Sequence, residues 1–209
     1  MTALERKQHT EKLLEALGIR LRDELPPWEE EDNIKLRTPR EIAQRILILS
    51  YLNCIATDSN LLEPVISFLR QENLWEHVSE EEKKLFDKTQ LADDEIATIQ
   101  WRGEAIWTLL WVIKRVDHLD LSLTEVNTSD VIERLPAFMQ SPSDFINTTT
   151  MRSVSEILDQ SDLVFRLNWA ARQAQLDGSD DIPFNTSVAY ERYFAINWVT
   201  CMRAQWDEM

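Results

Sequence analysis

The side chains of this sequence best placed to do chemistry are charged residues set inside otherwise apolar helical stretches. Arg102 and Glu104 lie among Trp101, Ala105, Trp107, Leu110 and Trp111. Glu156, Asp159, Asp162 and Arg166 recur at three- and four-residue spacing, which puts them along one face of a helix ending near Trp169. Glu191, Arg192 and Asn197 come beside Trp198. Charges kept next to large apolar side chains must be paired, because an isolated buried ion costs several kcal/mol. Two readings stand side by side. One is a shared ion network at the helix junctions. The other is a polar pocket walled by Trp101, Trp107, Trp111, Trp169 and Trp198, suited to a polar or cationic ligand, with one carboxylate as general base if its pKa were raised.

Other chemistries leave no trace. His9, His77 and His118 are widely spaced, with no His-Glu-x-x-His and no Cys-x-x-Cys, so no metal site is expected. His118 has Asp117 and Asp120 nearby but no further partner, and reads as a loop or helix-end residue. Three isolated glycines exclude a dinucleotide fingerprint or a phosphate-cradling loop, and no Gly-x-Ser-x-Gly elbow occurs. No catalytic residue and no cofactor is assigned, and an enzyme is the less favoured reading.

The elements that must carry these residues read as helices, in an all-α chain of about six to eight helices forming a single domain over residues 1–209. Eight Trp against three Gly favour helices over turn-rich sheets. A first helix is expected from Ala3 to Leu17, with Leu4, Leu13, Leu14 and Leu17 inward and Gly18 as its stop. A short extended piece follows near residues 19–22. Thr38-Pro39-Arg40-Glu41 is a capping box that opens a helix through Ile42, Ile46, Leu49 and Leu52. Further helices are expected over Leu62–Gln71, from the Ser79/Glu82 capping box towards Lys88, and from Asp93 to Arg115. The run Glu80–Glu82 is expected to be solvated and tolerant of alanine. Pro136 and Pro142 limit the stretch from His118 to Thr150 to one or two short helices. Ser153 and Glu156 cap a long helix to Asp177, with Gly178 as its stop, and a polar turn through Asp180 and Asp181 leads to a last helix near Val188–Arg203.

Net charge is −15, of which residues 116–209 carry −9 with six Arg and no Lys. Such a field repels phosphate backbones and anionic lipid, and draws in basic proteins or cationic ligands. Cys54 and Cys201 fall in apolar stretches and read as reduced, the first seventeen residues lack a signal-peptide pattern, and no apolar run approaches a membrane span. A cytoplasmic chain with neither nucleic acid nor membrane as partner follows as the expectation.

Four blocks carry a resemblance: Arg37-Thr-Pro-Arg-Glu-Ile-Ala-Gln-Arg45, Trp101-Arg-Gly-Glu-Ala-Ile-Trp107 to Trp111, Glu156-Ile-Leu-Asp-Gln-Ser-Asp-Leu163 to Trp169, and Glu191-Arg-Tyr-Phe-Ala-Ile-Asn-Trp198. Together, over about Gly18 to Asp207, they resemble the domain-of-unknown-function family numbered forty-two seventy-two. That resemblance implies a helical domain and no activity. The family's Arg and acid positions match at Arg102, Glu104, Glu156, Asp159, Asp162, Arg166, Glu191, Arg192 and Asp207. Asn168 and Tyr193 stand where the family pattern often shows His, so any chemistry of those histidines would be missing here. The favoured expectation is an acidic helical protein-interaction module, inhibitor-like or immunity-like in its charge, for a basic protein; the alternative is a small-molecule binder or enzyme built on the Trp-lined polar pocket.

Overall fold

The computed structural model describes residues 1–21, 25–121, 124–178 and 182–207. Among them the chain is helical, without strands. The main helices are α1 (Ala3–Ala16), α2 (Pro39–Thr57), α3 (Leu62–Gln71), α4 (Glu80–Phe86) and α5 (Asp93–Val112). They are followed by α6 (Thr128–Ile132), α7 (Ser143–Asn147), α8 (Val154–Asp177) and α9 (Thr186–Val199). The count exceeds the expected six to eight because both short stretches between His118 and Thr150 become helical.

Capping chemistry sets the starts. Thr2, Thr38, Ser79 and Ser153 each accept from the backbone three residues on, and Glu5, Glu41, Glu82 and Glu156 return the bond to the cap residue's own N–H. Gly178 ends α8 in the left-handed conformation, φ +65°. After α1, Gly18 takes φ +75° and the Ile19 N–H donates back to the Leu14 carbonyl at 2.9 Å. Residues 19–21, expected as an extended piece, follow this helix exit without pairing as a strand. Arg22, Asp180 and Asp181, on which the rest of that piece and the polar turn were placed, lie outside the described residues.

Helices α2, α5, α9 and α8 pack in that order, each against the next, and α1 lies on α8. Their burial explains the order. Every residue from Ile42 to Leu49 is buried, so α2 is apolar nearly all round and is surrounded by other elements. In α5 the buried run is Glu104–Ile106 and Thr108–Val112, and in α9 it includes Phe194–Val199. One large core joins α2, α3, α5, α8 and α9. A smaller one, Leu14, Ile19, Leu167, Ala170, Phe184 and Ala189, lies where α1 and α8 meet the start of α9.

The inner face of α1 is not the leucine row the sequence suggested. Leu4, Leu13 and Leu17 are exposed, and the buried side chains are Ala3, Arg6, Thr10 and Leu14. Arg6 decides the rotation, since its guanidinium is buried against α8. The last helix also ends sooner than expected. Thr200 caps it, Cys201 has φ 54°, and the Arg203 N–H returns to the Asn197 carbonyl at 3.2 Å, so that Trp206 tucks against Phe194 and Trp198.

Candidate functional site

The charged residues singled out in the sequence separate into several sites. Arg166 is wholly buried in α8. Its Nε and Nη2 donate to the two oxygens of Asp162 at 3.0 Å each, Nη1 to Glu11 at 3.2 Å and Nη2 also to the Pro26 carbonyl at 3.1 Å. Asp159, one turn before Asp162, accepts from Arg6 Nε at 2.8 Å, and Arg6 Nη1 donates to the Glu29 carbonyl at 3.1 Å. These two knots fasten α1 and the segment after it onto α8.

Arg192 of α9 reaches Glu104 of α5, with Nε and Nη2 each 3.3 Å from Oε2, and also donates to the Asp120 carbonyl. Glu104 Oε1 accepts the Val126 N–H. Both side chains are nearly buried, so this pair locks α5 to α9 and pins the segment leading into α6. It leaves no free nucleophile or base.

Glu156 is an exposed helix cap. It accepts from Ser153 and from Arg152 Nη1 at 2.9 Å, and those bonds, the Ser153 hydroxyl first, push its carboxyl down to about 2 from 4.5. A carboxyl lowered by folding contributes stability above its unfolded value, and that contribution disappears as pH falls from about 4.5 to about 2. Glu156→Gln is expected to lower the melting midpoint at pH 7 and to match the parent near pH 2. The loss is about 1 kcal/mol or less, since the side chain is close to half exposed and screened.

The aromatic residues divide in the same way. Trp111 is buried under Arg152, 4.7 Å from its ring centre, Trp107 is covered by Arg134 at 5.2 Å, and Trp198 by Arg37 at 4.3 Å. These act as core and as cation–π partners. Trp169 is half-buried on α8. Trp101 stands in the walls of two open clefts, and Trp198 in the wall of a third beside Arg37 and Arg45.

The first cleft, of about 820 Å³, lies between α2, α5 and α6. Its walls are mainly apolar, with Ile106, Val126, Val131, Ile132, Leu135 and Phe138 among them, and Ile132 and Phe138 are 63% and 49% exposed. Asp58, Glu104 and Glu125 are its acidic members; no Lys, Arg or His lines it among the described residues. Cys54 also lines it, and burial pushes its thiol up. The second cleft, of about 920 Å³, lies between α5, α8 and the start of α9, with Glu191 in its wall.

Glu191, Arg102 and Asn197 stand apart from the paired charges. Glu191 is 8% exposed and Asn197 5%. Glu191 Oε2, Arg102 Nη1 and Asn197 Oδ1 are buried with no hydrogen-bond partner. Burial raises the Glu191 carboxyl; the Arg102 charge opposes that rise and the Glu104 charge adds to it.

Several charged anchors escaped the sequence reading. Arg45 of α2 is 7% exposed and donates to both oxygens of Glu82, at 2.9 and 2.7 Å, and to the His77 carbonyl at 2.7 Å. Glu82, taken above as one of a solvated run, is 4% exposed. It sits at the third position of α4, which turns it towards α2 while Glu80 and Glu81 face outward. Arg37 holds the chain's last segment through the Trp198 carbonyl at 3.0 Å and the Ala204 carbonyl at 2.6 Å. The available signal was an Arg at position 45 enclosed by apolar neighbours in the strongest helix of the chain. No group of three or more metal-ligating side chains occurs among the described residues, nor a helix long and apolar enough to cross a membrane.

A family model described as Domain of unknown function (DUF4272) matches residues 6–209, and the chain belongs to that family. No curated protein matches the chain. No solved structure matches it either.

Proposed function

We propose that this member of a family without an assigned activity is a cytoplasmic protein-interaction module, and that its α2–α5–α6 groove receives an amphipathic helix carrying basic residues from a partner protein. One observation carries the reading: the groove is apolar along its floor, acidic at its exposed edge through Asp58 and Glu125, and unlined by any cation among the described residues. An α-helix is about 10 Å across and rises about 5.4 Å per turn, so a space of about 820 Å³ accommodates the inserted face of about two turns. The net charge of −15 favours such a partner over an acidic competitor and accelerates encounter. The pairing of Glu104 with Arg192 and of Asp162 with Arg166 supports binding over catalysis at these positions, because those side chains spend their polar atoms on each other and on the backbone. The two free cysteines are in keeping with a reducing compartment.

The test uses a fluorescent eighteen-residue helix with leucine at i, i+3, i+4 and i+7 and lysine elsewhere, beside the same helix with glutamate for lysine. The lysine peptide is expected to bind saturably and more weakly as salt rises, and to protect Cys54 from alkylation. Ile132→Ser and Phe138→Ser, both at exposed positions, are expected to weaken it about tenfold each, as loss of a buried anchor does. Equal binding of the glutamate peptide, or unchanged affinity in both variants, would contradict the assignment.

A further inference from the structure

We infer that the second cleft, between α5, α8 and the start of α9, is a separate binding site for a small organic cation, an ammonium or guanidinium group held by Glu191 against Trp101. Nothing in the proposed groove function requires it, and the two spaces share only Trp101.

The polar groups converge. Glu191 is more than nine-tenths buried, forms part of the cleft wall, and makes no hydrogen bond or ion pair among the described residues. Asn168, one helix away on α8, is 7% exposed, lines the same cleft, and likewise makes no side-chain hydrogen bond among the described residues. A buried carboxylate and a buried carboxamide without partners are each costly to the fold. Here they face one space of about 920 Å³. An N–H-bearing cation supplies what both lack, since each offers an acceptor oxygen.

Sign and shape agree with a cation. Trp101, Phe184 and Tyr190 line the cleft, so the organic body of a ligand finds aromatic area there and its charge a π system to approach. The charged groups around Glu191 are Arg102 and Glu104 on α5, Arg192 on α9 and Arg172 on α8. Arg192 and Glu104 neutralise each other. Arg172 is exposed at the rim, where water screens it. Arg102 leans over the Phe194 and Trp206 rings, 5.1 and 5.6 Å from their centres, and lies beyond ion-pair distance of Glu191. Glu191 is thus an acid that folding buries without a dedicated partner.

A cationic nitrogen can come from a free amine or from a protein side chain, so the experiment carries both. Binding of benzylamine, of benzyl alcohol, of benzoate and of a capped Ala-Arg-Ala peptide is followed by Trp fluorescence and by amide shifts of the full chain. Benzylamine is expected to bind saturably, with shifts centred on Trp101, Asn168 and Glu191, and Glu191→Gln to weaken it at least tenfold. Asn168→Ala is expected to weaken it several-fold. Benzoate or benzyl alcohol binding as well as benzylamine, or unchanged benzylamine affinity in Glu191→Gln, would overturn the proposal. So would binding of the capped peptide without benzylamine, which would make the site one for protein side chains. A folding control separates loss of site from loss of structure. Burial disfavours the charged form of Glu191, so its ionisation weakens the fold as pH rises, and Glu191→Gln is expected to melt at the parent temperature or above it at pH 7.5. A midpoint lowered by several degrees would make Glu191 a structural residue and would also overturn the assignment.

Discussion

Arg166→Ala is expected to lower the thermal midpoint by about 6–20 °C. The guanidinium is fully buried and bridges Asp162, Glu11 and the Pro26 carbonyl, joining α8 to α1 and to the segment that follows it. Truncation leaves the Asp162 carboxylate, itself wholly buried, without its cation. Stranding one partner of a buried pair costs about 3–5 kcal/mol, against a total of ~5–15 kcal/mol for a domain. For a chain of this length each kcal/mol corresponds to about 2–4 °C. Replacing both partners by apolar residues, Asp162→Leu with Arg166→Met, is expected to lose less than Arg166→Ala alone, because no unpaired charge then remains inside. Circular dichroism melts of the three proteins check this, and a single variant within about 2 °C of the parent would show that the knot is not structural.

Two neighbouring glutamates are expected to behave in opposite ways. Glu82→Ala removes the one ion-pair partner that Arg45 has among the described residues; Arg45 is buried between α2 and α4 and lies 5.1 Å from the Trp206 ring centre, and the change also opens the capping box at Ser79. The expected loss is about 3–5 kcal/mol. Glu81→Ala, one residue earlier, removes only an exposed contact to Lys84 and is expected to stay within about ±0.5 kcal/mol. Urea titrations of the two variants measure the difference directly. Equal midpoints would mean that water already screens the Arg45 pair.

These two cases also mark what the sequence could convey. The helices were legible wherever a cap names its own start. Thr38 and Ser153 place α2 and α8 to the residue, and Gly178 places the end of α8. Rotation was legible only where apolar spacing decides it. In α1 a buried Arg overrides the leucine row, since a guanidinium anchored at 2.8 Å to Asp159 fixes which face turns inward. Spacing along one chain cannot reveal a partner such as Asp159, 153 residues away. For the same reason Glu80, Glu81 and Glu82 looked alike until α2 was packed against the third of them. The polar residues of α5, α8 and α9 stand out in the sequence by their apolar setting. What spacing left open was their division into pairs, with Glu104 assigned to Arg192, Asp162 to Arg166 and Glu191 to neither. The groove was invisible because its walls, from Ser50 to Phe138, come from three elements far apart in sequence.

The central claim is that the α2–α5–α6 groove is a docking surface for a basic amphipathic helix. Its most direct test is an amide-shift map of the full chain titrated with the lysine-rich helix. Shifts that saturate together and cluster on Cys54, Gly103, Val126, Ile132 and Phe138 are the predicted result. Shifts that are small, unsaturated and spread over acidic positions outside the groove, such as Asp144 and Asp177, would show attraction to net charge alone and would contradict the claim.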